Sequence, residues 1–325
     1  MKIKLDVNIG KLKLKNPVMV ASGTFGYAEE FRSFVKLESL GAIVTKTITL
    51  NPRQGNQPPR TCETPAGMLN SIGLENPGVD VFIKDKLPLL LKIGAPIIVS
   101  IASEEDRDEF IGLARRLDKI KGIAAIELNI SCPNIKSPRH PACPAGRHVT
   151  TSPRLISQDP QATYELVKKV RRATDKIIIT KLSPNVTCIS DIALAAQRGG
   201  TDAVSLVNTL SGMCIDVKSR KPKLGAVTGG LSGPAIRPVA IKMVWETYQK
   251  IKIPIIGMGG IMDTQSALEF LIAGATAISI GTANFINPGV SGGVISGLRR
   301  YLFENKITDI KYIIGSIKIW GQNQV

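Results

Sequence analysis

The strongest constraint on the fold is a regular alternation of short aliphatic segments with longer amphipathic ones along the 325-residue chain. The aliphatic segments are rich in Val, Ile and Ala, which is typical of strands buried on both faces of a parallel sheet. We predict eight such strands, at residues 18–21, 42–45, 97–101, 124–128, 177–181, 203–207, 255–258 and 277–280. We predict helices between most of them, at residues 28–38, 104–119, 160–173, 189–198, 235–250 and 264–273, with further candidates at 80–92 and 290–303.

Eight strand–helix units in one sheet predict an α/β fold of the (β/α)8 TIM barrel type. Residues 2–15 alternate polar and apolar side chains around Asn8-Ile9-Gly10, which predicts a short N-terminal β-hairpin that closes the bottom of the barrel. A doubly wound open sheet is the alternative, but no G-x-G-x-x-G motif follows the first strand. We therefore expect residues 1–325 to form a single barrel domain.

The composition argues against several classes of function. The formal net charge is +16, but aromatic residues make up only 5% of the chain and many basic residues stand beside acids. We therefore expect no nucleic-acid partner, and a charge that helps to attract an anionic substrate. Glu269 and Gly274 divide the most apolar long window, residues 267–286, so we expect no membrane span. The five cysteines form no C-x-x-C pair, which is typical of reduced thiols in the cytoplasm, and their spacing suits no iron–sulfur cluster or other metal site.

Polar residues collect where the predicted strands end, which is where a barrel builds its active site. They are Ser22, Lys46, Thr47, Asn129, Cys132, Lys181, Asn208 and Thr209. Glycine-rich loops follow the last two strands, at Gly257-Met-Gly-Gly and Gly281-Thr-Ala. Backbone N–H groups in two such adjacent loops predict a phosphate-bearing ligand.

Two lysines are predicted to lie inside the barrel. Lys46 and Lys181 each follow an aliphatic run at a strand end, where a cation without a partner is costly to bury. An anionic partner is therefore expected, either a reduced flavin or a carboxylate substrate. A surface lysine whose stem alone is buried is the alternative for each.

A thiol stands at the end of the fourth predicted strand, within residues 127–134, Glu-Leu-Asn-Ile-Ser-Cys-Pro-Asn. Pro133 prevents the strand from continuing far beyond this cluster. We interpret Cys132 as the reactive group, and a buried structural thiol is the alternative.

Several motifs occur in an order that resembles the dihydroorotate dehydrogenase family, flavoenzymes of pyrimidine biosynthesis. The motifs are Asn16-Pro-Val, Ala21-Ser-Gly-Thr-Phe-Gly, Lys46-Thr, Asn51-Pro-Arg-Gln-Gly-Asn, Asn70-Ser-Ile-Gly-Leu-Glu-Asn-Pro-Gly, residues 127–134, Lys181-Leu-Ser-Pro-Asn-Val, Asn208-Thr-Leu, Gly229-Gly-Leu-Ser-Gly-Pro, residues 257–261 and Gly281-Thr-Ala. The Gly257-Met-Gly-Gly-Ile and Asn208-Thr-Leu-Ser-Gly-Met-Cys-Ile-Asp stretches resemble class 1B of the family, whose final acceptor is NAD⁺.

The resemblance implies FMN as cofactor and oxidation of (S)-dihydroorotate to orotate. Cys132 would remove the C5 proton while the C6 hydride passes to FMN. Residues implied to bind FMN are Ser22, Lys46, Thr47, Asn129, Lys181, Val207, Gly233, Gly259, Gly260, Gly281 and Thr282. Residues implied to bind the substrate are Lys46, Asn70, Ser71, Ile72, Gly73, Leu74, Asn129, Asn208 and Thr209.

Class 1B also implies a partner. It would be an electron-transfer subunit that carries FAD and an iron–sulfur cluster, with this chain as a homodimer inside a heterotetramer. Because a thiol must ionise before it can accept a proton, and its usual pKa is about 8.5, we expect turnover to rise with pH.

The resemblance breaks at residues 137–157, a stretch after strand 4 with four prolines, three arginines, both histidines of the chain and no acid. We predict an atypical lid or insert loop there, and a corrupted reading frame is the alternative. Ser100 stands where the family commonly has an asparagine near the flavin.

Two other functions are compatible with the sequence. One is oxidation of another dihydropyrimidine by a related barrel flavoenzyme, such as the catalytic domain of dihydropyrimidine dehydrogenase. The other is a catalytically impaired barrel that serves as a binding scaffold.

Overall fold

Eight parallel strands close into a barrel at the centre of the structure, a computed structural model that describes residues 2–103, 107–131 and 156–320. The strands in chain order are β1 (Val7–Ile9), β2 (Leu12–Leu14), β3 (Val18–Val20), β4 (Ala42–Val44), β5 (Thr61–Thr64), β6 (Gly67–Asn70), β7 (Ile97–Ile101), β8 (Ile123–Asn129), β9 (Ile177–Lys181), β10 (Ala203–Leu206), β11 (Leu210–Met213), β12 (Ile215–Asp216), β13 (Lys221–Pro222), β14 (Thr228–Ser232), β15 (Ile255–Gly257) and β16 (Ala277–Ile280). The α-helices are α1 (Gly78–Val81), α2 (Leu87–Leu91), α3 (Arg107–Asp118), α4 (Pro160–Arg171), α5 (Ile189–Gly199), α6 (Arg237–Tyr248), α7 (Thr264–Ala273), α8 (Ala283–Ile286) and α9 (Val290–Glu304).

The barrel strands follow one another in the order β3, β4, β7, β8, β9, β10, β15 and β16. The last strand pairs with the first, with Ile278 beside Val18 and Ile280 beside Val20, so the sheet has no free edge. All eight predicted strands are confirmed, with ends that differ by no more than one residue. The predicted (β/α)8 barrel is confirmed as well.

Burial explains why these aliphatic segments form strands. Every residue of β3, β4 and β7 is buried, because one face of each strand meets the barrel interior and the other meets the surrounding helices. The predicted N-terminal hairpin is confirmed as β1 and β2. Its turn lies at the bottom of the barrel, where a side chain at Gly10 would stand 3.1 Å from Cβ of Asp202, just before β10.

The predicted helix at residues 28–38 is wrong. The structure has two short 3-10 helices there, Glu29–Phe31 and Leu37–Ser39. The apolar residues of the segment do not share one face, since Phe31 stacks on Phe25 at 4.0 Å between ring centroids and Phe34 is 59% exposed. The candidate helix at residues 80–92 is confirmed, but it has a π-helical turn at Phe82–Lys86 between α1 and α2.

A four-stranded antiparallel sheet stands over the barrel mouth and has no counterpart in the sequence prediction. Its order is β11, β14, β6 and β5. Two of these strands come from the loop after β4 and two from the loop after β10, so the sheet joins opposite sides of the mouth. We call it the mouth sheet.

Over the described ranges, no helix has the length and apolar character needed to cross a membrane.

Asp263 caps the N-terminus of α7. Its side chain accepts a 2.8 Å hydrogen bond from the backbone N–H of Ser266, and this bond is the main reason why the pKa of Asp263 is lowered. We expect Asp263→Ala to lower the free energy of unfolding by about 1 kcal/mol at neutral pH. A lowered folded-state pKa means that the contribution is complete above the usual Asp pKa of about 3.9 and disappears as the pH falls through the folded-state value. Denaturant unfolding of both proteins at neutral and acid pH tests this, and an equal deficit at both pH values would contradict it.

Candidate active site

A cavity of about 420 Å³ opens at the carboxyl ends of the barrel strands. Its walls come from the residues at or just after β3, β4, β8, β9, β10, β15 and β16, and from the mouth sheet. Loops at this end of a barrel carry the chemistry in enzymes of this fold, because all eight strands point their carboxyl ends at one space.

The cavity brings together most of the residues predicted from the sequence. All eleven residues predicted to bind FMN line it, from Ser22 to Thr282. The residues predicted to bind the substrate also line it, except Ser71. Ser71 is fully buried, and its backbone bonds to Arg60 and Asn56. Cys132 lies outside the described residues.

Lys181 ends β9 and points across the interior of the barrel. Its side chain is buried, with 5% exposure, and its ammonium Nζ donates to Oγ of Ser22 at 3.3 Å. Among the residues that the structure describes, no carboxylate pairs with this ammonium. A buried cation with one neutral partner is costly, so the arrangement suits an anionic ligand in the cavity.

Lys46 lies in the cavity wall on the other side of the interior. Its backbone N–H donates to the carbonyl of Gly26, which fixes the residue just after β4, and its side chain is half-buried. The cavity therefore has two ammonium groups, Lys46 and Lys181, in its wall.

Glycines form the wall on the side of β15 and β16. Gly259 and Gly260 have φ values of +124° and +80°, a conformation that other residues rarely adopt. Gly281 has an ordinary backbone, and a Cβ added there would meet only Ala21 and Thr24, at 3.8 and 4.0 Å. The space beside Gly281 is therefore open cavity, and any side chain there would occupy volume that a ligand could use.

A chain of hydrogen bonds runs beneath the cavity. Asn208 Nδ2 donates to Ser131 Oγ at 2.9 Å, and Ser131 Oγ donates to Asn129 Oδ1 at 3.1 Å. Asn129 Nδ2 donates to Thr47 Oγ1 at 3.1 Å, and the Thr47 hydroxyl lies 2.9 Å from that of Ser100.

The chain ends at Glu127, two residues before Asn129 on β8. Ser100 Oγ donates to Glu127 Oε1 at 3.0 Å, and Ser205 Oγ donates to Oε2 at 3.2 Å. Neither Glu127 nor Ser205 is among the site residues predicted from the sequence. The available signal was a carboxylate in the middle of an aliphatic strand, where burial requires partners.

The sequence matches a known protein family over most of its length. Residues 4–302 match the family model described as dihydroorotate dehydrogenase. The chain belongs to the dihydroorotate dehydrogenase family. Dihydroorotate dehydrogenases are oxidoreductases, and this chain is an enzyme of that class.

Similar proteins of this family align with the chain almost from end to end. A protein of Desulforudis audaxviator is 52% identical over 97% of this chain and 98% of its own length. Proteins of Geobacter metallireducens and Thermodesulfovibrio yellowstonii are each 50% identical, over 97% of this chain and 98% and 99% of their own lengths. All three carry the name dihydroorotate dehydrogenase B (NAD(+)), catalytic subunit.

The structure describes only the end of the atypical segment predicted at residues 137–157, which follows β8. Residues 137–155 lie outside the described part, while Ile156–Gln158 forms a 3-10 helix before α4. Gln158 Nε2 donates to the carbonyl of Asn185 at 2.9 Å, and Asn185 in turn donates to the carbonyl of Thr209 at 3.1 Å. The residue that follows the segment is thus linked through Asn185 to Thr209 in the cavity wall.

A side chain at Gly281 would occupy open space in the cavity of this chain. We expect Gly281→Ala to fold normally and to bind FMN about tenfold or more weakly, because the new methyl group enters the cavity. Gly293→Ala is the matched control, since its Cβ would meet nothing within 4 Å on the outer helix α9. Titration of the apoproteins with FMN measures the effect. Equal FMN affinity in both variants would contradict it.

Proposed function

We propose that this chain oxidises (S)-dihydroorotate to orotate with FMN as its bound cofactor. The observation that carries the proposal is the buried ammonium of Lys181 in a cavity lined by all eleven predicted flavin-binding residues. Membership of the dihydroorotate dehydrogenase family supports the same reaction.

The residues around the cavity fit FMN. The lysine cation suits the N1–C2=O edge of a flavin, which becomes negative on reduction. The phosphate suits the glycine wall of Gly259, Gly260 and Gly281, because these residues line the cavity and have no side chain of their own beside their backbone N–H groups. When bound, FMN supplies the two-electron acceptor for the hydride that leaves C6 of dihydroorotate.

The chain's own residues bind and orient the substrate. Lys46 is a cation for the substrate carboxylate, and the amides of Asn70, Asn129 and Asn208 both donate and accept at its imide edge. Cys132, as the thiolate, accepts the proton from C5. Loss of this proton and of the C6 hydride leaves the C5=C6 double bond of orotate.

We further propose that the electrons pass to NAD⁺ through a second subunit that carries FAD and an iron–sulfur cluster. The support is that the similar proteins are named catalytic subunits and NAD(+) enzymes. We propose a homodimer of this chain within a heterotetramer. The reduced cysteines of the sequence support a location in the cytoplasm.

The test is anaerobic mixing of the purified, FMN-loaded protein with dihydroorotate while the flavin absorbance is followed. We expect the flavin to bleach with dihydroorotate and not with dihydrouracil, because only dihydroorotate has a carboxylate for Lys46. Bleaching by dihydrouracil alone would instead support the related dihydropyrimidine oxidation. A yellow protein that neither substrate bleaches would overturn the proposal and favour a binding scaffold. Adding NAD⁺ with and without a co-purified partner then identifies the acceptor.

A further inference from the structure

The two ends of the hydrogen-bond chain beneath the cavity determine which group donates and which accepts at each link. At one end, Asn208 Oδ1 accepts from the backbone N–H of Thr209 at 2.8 Å, and Nδ2 donates to the carbonyl of Ser131 at 3.3 Å. Backbone groups have a fixed donor and acceptor sense, so the amide of Asn208 has one orientation. Because Asn208 Nδ2 donates to Ser131 Oγ, the hydroxyl hydrogen of Ser131 is directed to Asn129 Oδ1.

One link has no polarity of its own. The hydroxyls of Thr47 and Ser100 are 2.9 Å apart, and either could be the donor. A carboxylate only accepts, so Glu127 Oε1 takes the hydrogen of Ser100. The Thr47 hydroxyl hydrogen therefore goes to Ser100, and Thr47 Oγ1 presents a lone pair to Asn129 Nδ2.

We propose that Glu127 is a positioning residue that holds the amide of Asn129 in its ligand-binding orientation. The inference rests on the proposed function, in which Asn129 binds both flavin and substrate. Asn129 Nδ2 gives one hydrogen to Thr47, and its second hydrogen has no acceptor within the described ranges, while the residue lines the cavity. This N–H is the donor offered to a carbonyl or carboxylate oxygen of the ligand.

Without the carboxylate of Glu127, the hydroxyl hydrogens of Ser100 and Thr47 would no longer have fixed directions. The hydroxyl of Ser100, which is fully buried, would turn its hydrogen to Thr47 Oγ1, which lies 2.9 Å away. The Thr47 hydrogen would then point away from Ser100 and compete with the N–H of Asn129 for the same space. A buried donor left without a partner is costly, so the amide would lose its restraint on the Thr47 side and would keep only the bond from Ser131 Oγ to Asn129 Oδ1.

The decisive variant is Glu127→Met, which keeps the length of the side chain and removes both acceptor oxygens. We expect the dissociation constant of orotate, measured by the change in flavin absorbance, to rise about tenfold, which is about 1.4 kcal/mol. Glu127→Gln should restore binding to within about threefold, because its amide oxygen can face Ser100 while its NH₂ group faces Ser205. FMN content and the melting temperature are measured for each variant.

Ser205→Ala is the matched control. It removes a buried hydrogen bond to the same carboxylate but leaves the link from Ser100 to Asn129 in place. We expect it to lower the melting temperature without changing orotate binding. A purely structural role of Glu127 would instead give Glu127→Met and Ser205→Ala the same pattern.

A double-mutant cycle tests whether the effect passes through Asn129. In an Asn129→Ala background, Glu127→Met should cause no further loss of orotate or FMN affinity. The proposal is overturned if Glu127→Met binds both ligands as the unmodified protein does, or if its loss is equally large without Asn129. If Glu127→Met yields no folded protein, Ser100→Ala decides in its place by the same criteria, because it breaks the next link and keeps the carboxylate.

Failure of the proposed function has a different outcome. A protein that binds FMN but neither orotate nor dihydroorotate would refute the assigned substrate. The coupling between Glu127 and Asn129 would still be measured on FMN affinity, so the two proposals can fail independently.

Discussion

Replacing Cys132 with alanine should abolish reduction of the flavin by dihydroorotate while FMN stays bound. The proposed reaction removes a proton from C5, and a positioned general base contributes about 10²–10⁴-fold to such a step. Anaerobic stopped-flow measurement of flavin bleaching gives the rate. In the unmodified protein we expect this rate to rise with pH until the thiol is ionised, because only the thiolate accepts a proton.

Cys188→Ala is the control for this prediction. Cys188 is exposed, lies before α5 and has its sulfur 3.3 Å from the hydroxyl of Ser190, away from the cavity lining. It should keep the full rate and the same pH dependence. Full activity in Cys132→Ala, with FMN bound, would contradict the assignment of the base.

The second large effect is expected for Lys181→Met, with opposite consequences for the two forms of the protein. The variant should lose FMN affinity by at least about a hundredfold, or about 2.8 kcal/mol, since it removes the buried cation that faces the cavity. The apoprotein should become more stable, because a desolvated ammonium whose only described partner is a serine hydroxyl is replaced by an apolar side chain. FMN titration and thermal unfolding of the apoproteins measure the two effects.

Lys242→Met provides the comparison for Lys181→Met. Lys242 lies on the surface of α6, where it pairs with Glu246 at 2.6 Å, and surface pairs contribute little to stability. This variant should change neither FMN affinity nor apoprotein stability to a measurable degree. A Lys181→Met apoprotein that is less stable than the unmodified one would show that the lysine serves the fold rather than the ligand.

The barrel was predictable because its strands are buried on both faces, which leaves continuous aliphatic runs in the sequence. The outer helices were predictable because each buries one face against its neighbours and leaves the other polar, except at residues 28–38. There the apolar spacing resembles a helix, but Phe31 packs on Phe25 while Phe34 stays exposed, so tertiary contacts rather than periodicity decide the local structure.

The mouth sheet was not predictable from local pattern. Its strands are only four or five residues long, and Asn70 pairs with Gly230 across a large separation in sequence. Nothing within either loop indicates the other, because such pairing depends on where the barrel holds the loop ends. The same limit applies to Ser71, which the motif placed in the site but which the structure buries away from the cavity lining.

The candidate site was predictable in its residues but not in their connections. Strand ends and motifs identified Lys46, Asn129, Lys181 and the glycine loops. The link from Glu127 through Ser100 to Thr47 crosses three strands of the barrel, and no spacing in the sequence indicates which hydroxyls meet. Ser100, which stands where the family commonly has an asparagine, is thus a hydrogen-bonding residue in this chain.

The closure of the barrel has a consequence for how the chain is made. Strand β3 lies near the start of the chain, and the strand that covers its second edge, β16, lies near the end. While the ribosome adds the intervening residues, the backbone N–H and C=O groups along that edge have no partner, as in any open sheet. Nearly complete synthesis must therefore precede closure, and until then the exposed edge of β3 can pair with strands of other chains.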